Sequence, residues 1–180
     1  MADVCPVEKA GFLDNAFRRW VHNPEKILRG LVKPGMTVLD FGCGPGVFSV
    51  AMAQMVGKCG RVIAADLQQG MLDKLQDKIR RAGVGNICVH KCEKNKIGIT
   101  EKVDFALAFY VVHEVPDQME LFRELKSLLR TGGMVLVVEP KMHVNACAFE
   151  KTVNTAISAG LAAVERRGIF LSWGMAFQST

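Results

Sequence analysis

The segment Val38-Leu39-Asp40-Phe41-Gly42-Cys43-Gly44-Pro45-Gly46 constrains this chain most: an apolar run ends in an acid and passes into three glycines at every second position. Glycine tolerates positive φ and close backbone approach, so the pattern describes a buried strand turning sharply into a helix over a ligand. Val47 to Met55 continues as an apolar run, the helix that would pack on the sheet. Amides at its N-terminus lack intrahelical partners and face whatever the turn holds. A dinucleotide fingerprint would space its glycines Gly-x-Gly-x-x-Gly and offer those amides to a pyrophosphate. Here Pro45 has no amide to donate, and Asp40 sets a carboxylate where it repels a diphosphate and attracts a cation. The alternative is a tight strand-to-helix turn that holds no ligand.

This stretch resembles motif I of the class I S-adenosylmethionine-dependent methyltransferases, whose ligand sets a sulfonium and an ammonium against one carboxylate. A second acid supports the likeness. Gly60-Arg61-Val62-Ile63-Ala64-Ala65-Asp66 is a short apolar strand ending in an acid 24 residues after Gly42. An acid so placed can accept hydrogen bonds from both hydroxyls of a ribose, although Asp66 would also serve as the N-cap of the next helix. Leu67 would then lie against the adenine. Asn86 to Lys91 reads as a third strand, and Cys92-Glu93 stands where the resemblance implies an acid or backbone group for the adenine amine. The sequence departs there from the commoner Gly-Asp-Ala pattern.

Val103 to Phe109, running on into Tyr110-Val111-Val112-His113-Glu114, looks like motif IV of the small-molecule branch that includes the quinone-biosynthesis enzymes. Phe122 to Arg130 is an amphipathic helix, Thr131-Gly132-Gly133 suits its C-terminal cap, and Met134 to Pro140 reads as a buried central strand. Helix His143 to Ser158 and strands Leu161 to Glu165 and Ile169 to Phe177 complete the alternation. Arg166-Arg167-Gly168 is too short for a parallel crossover, so the last two strands must form an antiparallel hairpin. The fold expected is α/β and doubly wound: a mostly parallel seven-stranded sheet with an antiparallel C-terminal strand, as in Rossmann-like methyltransferases.

The 180 residues suffice for one domain burying about 70% of its unfolded surface. We expect residues 31–180 to form the core and residues 1–30 to supply N-terminal helices. Apolar positions 13, 16, 17, 20 and 21 make a helical stripe, and Asn23-Pro24-Glu25 opens a second helix through Leu31. The resemblance implies that such helices cover the cofactor; a helix packed on the sheet edge is the alternative. The net charge of +5 comes from basic residues scattered among acids, which read as solvated faces. No run of 18 apolar residues and no signal architecture is present, so the expectation is a cytoplasmic protein without an integral membrane segment. Cysteines 5, 43, 59, 88, 92 and 147 include no Cys-x-x-Cys pair and should be reduced. Cys88, His90 and Cys92 alternate on one face, a conceivable metal set, but buried cysteines acting as small hydrophobes account for them, and no metal is expected.

The resemblance implies S-adenosyl-L-methionine as cofactor, S-adenosyl-L-homocysteine as product, and in-line displacement at the sulfonium methyl. Its binding set would be Asp40, Gly42, Gly44, Asp66, Leu67, Cys92, Glu93 and Phe109. Alignment supplies much of such a rate, and a base helps if the acceptor is a hydroxyl or activated carbon. His113 is the first candidate, with Glu139 and His143 as alternatives; His113 and Glu114 merely opening a helix is the competing view. The lack of Asn-Pro-Pro-Tyr or Asp-Pro-Pro-Tyr after the fourth strand points away from nucleic acid and toward a small-molecule acceptor. A non-catalytic cofactor-binding subunit and an NAD-dependent oxidoreductase are the remaining readings.

Overall fold

The computed structural model describes residues 22–180. Its first helix, α1 (Pro24–Leu28), begins as the Asn23-Pro24 pair predicts: Asn23 accepts the Lys26 amide at 3.1 Å. Pro24 sits in the first turn, where its missing N–H goes unneeded. The helix ends three residues before the expected Leu31, ahead of Gly30 at φ 81. The stripe at 13–21 lies outside the described residues.

Beyond α1 come β1 (Thr37–Phe41), α2 (Val47–Val56), β2 (Arg61–Asp66), α3 (Gln69–Ala82), β3 (Ile87–Lys91) and β4 (Val103–Phe109). A 3₁₀ turn (Val112–Glu114) leads to α4 (Gln118–Leu128), β5 (Leu129–Pro140), α5 (Ala146–Ser158), β6 (Leu161–Arg166) and β7 (Ser172–Ser179). The strands build one seven-stranded sheet in the order β3-β2-β1-β4-β5-β7-β6. Strands β1 to β5 are parallel, and β7 is antiparallel to both its neighbours. This is the sheet expected from the sequence. The link 167–171 is too short to cross over, so β7 folds back into the gap between β5 and β6.

Two apolar layers cover the sheet, and the pleat sorts the strand residues between them. Val38, Phe105, Leu107 and Leu136 pack with Leu28, Phe48 and Met52 on one face. Leu39, Ala106, Val135 and Phe177 pack with Phe122, Leu125, Phe149 and Val153 on the other. Burying each of the larger side chains contributes about 1.5–3 kcal/mol, which is why the central strands read as unbroken apolar runs.

Other boundaries depart from the expectation too: α4 opens at Gln118 rather than Phe122 and β7 at Ser172 rather than Ile169. The Gly132-Gly133 pair does not cap α4: Leu129 is already extended (φ −68, ψ 141) and starts β5. Gly132, at φ 76, instead sits where the β4–β5 register slips, between the Val103–Leu129 and Phe105–Met134 pairs. A Cβ on Gly133 would come within 2.8 Å of the Arg130 carbonyl oxygen, so close backbone packing demands glycine there. Helix α5 opens later than His143, because the Pro140 carbonyl takes the His143 and Val144 amides into a turn and Asn145 then caps the helix.

Candidate functional site

The strand order reverses between β1 and β4, and in open α/β sheets the crevice outside the strand ends at this point is where ligands bind. The Gly42 and Cys43 amides donate to the Ala65 carbonyl at 2.8 and 3.0 Å, pinning the start of the glycine loop to β2. Gly42, Gly44 and Gly46 all take positive φ, at 68, 51 and 78. They do so for different reasons. A Cβ on Gly42 would strike Val111 at 2.5 Å and one on Gly46 would strike Leu75 at 2.2 Å, whereas nothing lies within 4 Å of a Cβ on Gly44. Gly42 and Gly46 serve packing, and Gly44 borders open space.

The acids at the ends of β1 and β2 flank this space. Asp40 is 2% exposed and accepts a hydrogen bond from the Ser49 hydroxyl at 2.5 Å. Burial pushes its carboxyl up to about 7, the Asp66 charge adds to the rise, and the Ser49 hydrogen bond opposes it. Asp66 accepts the Gly44 amide at 2.8 Å and the Gln68 amide at 2.8 Å, and burial raises its pKa as well. It therefore does not cap α3 from the N-cap position, which Gln68 holds; it closes a local turn that aims the carboxylate at the loop. Among the described residues no lysine, arginine or histidine pairs with either acid. A cation would ease both ionisations and a diphosphate would oppose them.

Beside Asp66 the chain forms a corner. Leu67 is half-exposed, the Cys92 amide donates to the Asp66 carbonyl at 2.9 Å, and the Glu93 carboxylate stands in solvent. The Cys92 amide is thus already engaged. A cavity of about 340 Å³ opens here between Phe41, Glu93, Ile97, Val115 and Leu121. Burial pushes the Cys92 thiol up to about 12. His90 spends its Nε2 on the Ile97 carbonyl at 2.7 Å, and no trio of metal-ligating side chains occurs among the described residues. On the other flank Phe109 is buried against Phe48, with ring centroids 4.4 Å apart.

The three ionisable candidates of the acceptor side converge. Glu139, at the end of β5, is 1% exposed; its Oε1 accepts the Val112 amide at 2.9 Å and the His113 amide at 3.3 Å. Its Oε2 contacts His113 Nδ1, which raises the His113 pKa through that hydrogen bond, against the opposing effect of burial. The His143 ring lies edge-on to His113 at 5.9 Å. Rather than simply opening a helix, His113 sits in a 3₁₀ turn clamped by Glu139, while Asp117 caps the helix that follows. Gln118 braces the turn through the Val112 carbonyl at 3.2 Å and is itself held by Thr152 at 3.0 Å.

Residues 32–167 match the sequence profile of a family described as a methyltransferase domain. The chain belongs to that family. It is 28% identical over 126 residues to a demethylmenaquinone methyltransferase of Geobacillus kaustophilus, covering 69% of this chain and 54% of the relative. A ubiquinone/menaquinone biosynthesis C-methyltransferase of Haemophilus ducreyi is 31% identical over 110 residues, covering 60% of this chain and 42% of the relative. The chain spans about half the length of these curated relatives. A SAM-dependent methyltransferase of Aquifex aeolicus superimposes with a TM-score of 0.91 at 26% identity, over 98% of this chain and 100% of that one.

Within this methyltransferase-domain chain, several participants escaped the sequence reading. Ser49 is the one hydroxyl in the Val47 to Met55 run, a signal that it faces a polar partner. Tyr110 takes φ 61 at the end of β4, and its hydroxyl lies 2.5 Å from Ser172 and 3.0 Å from His22. Nothing local in the sequence marks that strain. Glu124 accepts the Ile97 and Gly98 amides at 2.9 Å each, holding the loop that floors the 340 Å³ cavity.

Proposed function

We propose that this protein binds S-adenosylmethionine over the glycine loop and passes its methyl group to a hydroxylated aromatic small molecule. The arrangement that carries this reading is Asp40, a buried carboxyl with a pKa near 7, beneath a loop whose open position is Gly44. A ligand bearing a sulfonium and an ammonium supplies the positive charge such a carboxyl lacks; a nicotinamide dinucleotide supplies the opposite charge. When bound, the cofactor offers one methyl on a positively charged sulfur, open to in-line attack.

Asp40 acts as the buried counter-charge, and Gly44 leaves room for the methionine portion. Asp66 directs its remaining lone pairs to the ribose hydroxyls, two of its acceptor positions being taken by amides. Leu67 flanks the adenine and Glu93 accepts from its amine, since the Cys92 amide is already used. Phe109 walls the cleft from the β4 side. Glu139 commits His113 Nδ1, so Nε2 is the atom that takes the proton released when a ring carbon or hydroxyl acquires the methyl. A ring acceptor is favoured by the activities for which the two quinone-pathway relatives are named.

The deciding experiment screens hydroxylated benzenes and naphthalenes for transfer of a labelled methyl group, alongside calorimetry with S-adenosylmethionine and with NAD. Adenosylmethionine heat with label transfer is the expected outcome. NAD heat without adenosylmethionine heat would overturn the proposal, and adenosylmethionine binding that yields transfer to no acceptor would leave a cofactor-binding subunit.

A further inference from the structure

We propose that two adjacent loops, the turn 141–143 after β5 and the link 167–171 before β7, dock this chain on an anionic lipid bilayer. Three large apolar side chains crown them: Met142 is 84% exposed, Phe170 65% and Leu171 53%. The Lys141 amide donates to the Leu171 carbonyl at 3.0 Å, joining the two loops in one rim. Leu171 is held at φ 52, a conformation unfavourable for a side-chain-bearing residue, with that side chain turned to solvent. Strain retained merely to expose a leucine is a mark of use rather than of packing.

The rim carries one cation, Lys141, beyond those its acids match. Lys141, Arg166 and Arg167 border one open hollow together with Trp173. Lys141 Nζ lies 4.4 Å over the Trp173 ring and pairs with no carboxylate among the described residues. The acids near the rim, Glu150 and Glu165, are already matched by Arg166 and Arg167. Exposed apolar tips beside an unmatched lysine suit insertion at a headgroup boundary, where the side chains enter the acyl edge and the ammonium meets phosphate. The rim lies on the same sheet edge as the His113–Glu139 pair, since Glu139 is paired with Trp173 across β5 and β7. Docking by this rim turns that edge toward the membrane.

The test is co-sedimentation of the full chain with phosphatidylcholine vesicles, with and without phosphatidylglycerol, in low and high salt. Binding only to the acidic vesicles, reversed by salt, is expected. Lys141→Gln should weaken it about fivefold. The pair Met142→Ser with Phe170→Ser should weaken it about tenfold or more. Leu171→Gly should also lower binding while leaving the melting temperature equal or higher, an outcome opposite to that of a structural leucine. Wild-type protein that stays in the supernatant overturns the proposal. So does a loss confined to Lys141→Gln, which means adsorption of a basic protein without insertion, or a Leu171→Gly that melts earlier and binds equally. Cofactor calorimetry on the same samples keeps the methyltransferase reading separately accountable.

Discussion

The Gly44 amide donates to the Asp66 carboxylate at 2.8 Å, so the middle of the glycine loop hangs from the acid that ends the neighbouring strand. Two sequence signals 22 residues apart are therefore one mechanical unit. Moving either changes the ligand space between them.

Asp66→Ala should weaken S-adenosylmethionine binding by about tenfold or more, because ribose hydroxyls lose a charged acceptor. The melting temperature should fall too, since the Gly44 and Gln68 amides lose their partner, a loss worth about 1–3 kcal/mol. Calorimetry and thermal melting check the two effects. Normal affinity in a destabilised variant would reduce Asp66 to a brace for the loop.

The glycines should separate by function. Gly46→Ala forces a methyl into Leu75 and should destabilise folding by about 1–3 kcal/mol, read from a denaturant titration. At Gly44 an added Cβ meets nothing within 4 Å, so Gly44→Val carries chiefly the strain of φ 51, about 1–2 kcal/mol, yet should abolish cofactor binding. Cofactor binding retained in Gly44→Val would mean that the loop is only a turn.

Asp40 should make binding depend on pH. A cationic ligand needs the carboxylate, so affinity should fall about tenfold per unit below the folded pKa of about 7 and level off above it. Stability of the empty protein runs the other way. Its raised pKa means the folded state holds the extra proton, so this contribution is complete below about pH 4 and is lost as pH climbs through 7. Asp40→Asn should flatten the binding profile, lower affinity, and raise the melting temperature at alkaline pH. A flat wild-type profile would remove Asp40 from the cofactor's charge balance.

His113→Ala should lower turnover by a factor on the order of 100 with cofactor affinity nearly unchanged, since the proton moves only along the reaction path. The raised His113 pKa places the acidic limb of the rate profile above that of an ordinary histidine. Glu139→Gln should shift that limb downward in pH, because the charge that holds the proton on His113 is gone. The stability supplied by the pair is present below the ordinary histidine pKa and fades as pH rises through the raised one. Equal losses of affinity and turnover in His113→Ala would make His113 a binding residue.

Local pattern was enough to foresee the elements. The alternation of apolar runs, the Asn23-Pro24 helix start, the acids closing β1 and β2 and the short link expected at Arg166-Arg167-Gly168 each act over a few residues, and together they determine a parallel sheet with an antiparallel end. The sequence was silent wherever partners lie far apart. Gly132 and Gly133 read as a cap because their local chemistry suits one, but the pairing of β5 with β4 sets them where the register slips. Glu139 and His113 stand 26 residues apart, and only the parallel pairing of β4 with β5 brings them together. Asp40 could be seen as an acid before a glycine loop, but its pKa near 7 comes from burial, which outweighs the opposing Ser49 hydrogen bond. Identity and spacing named the groups; desolvation and cross-strand contact, which exist only once the chain is packed, decided their chemistry.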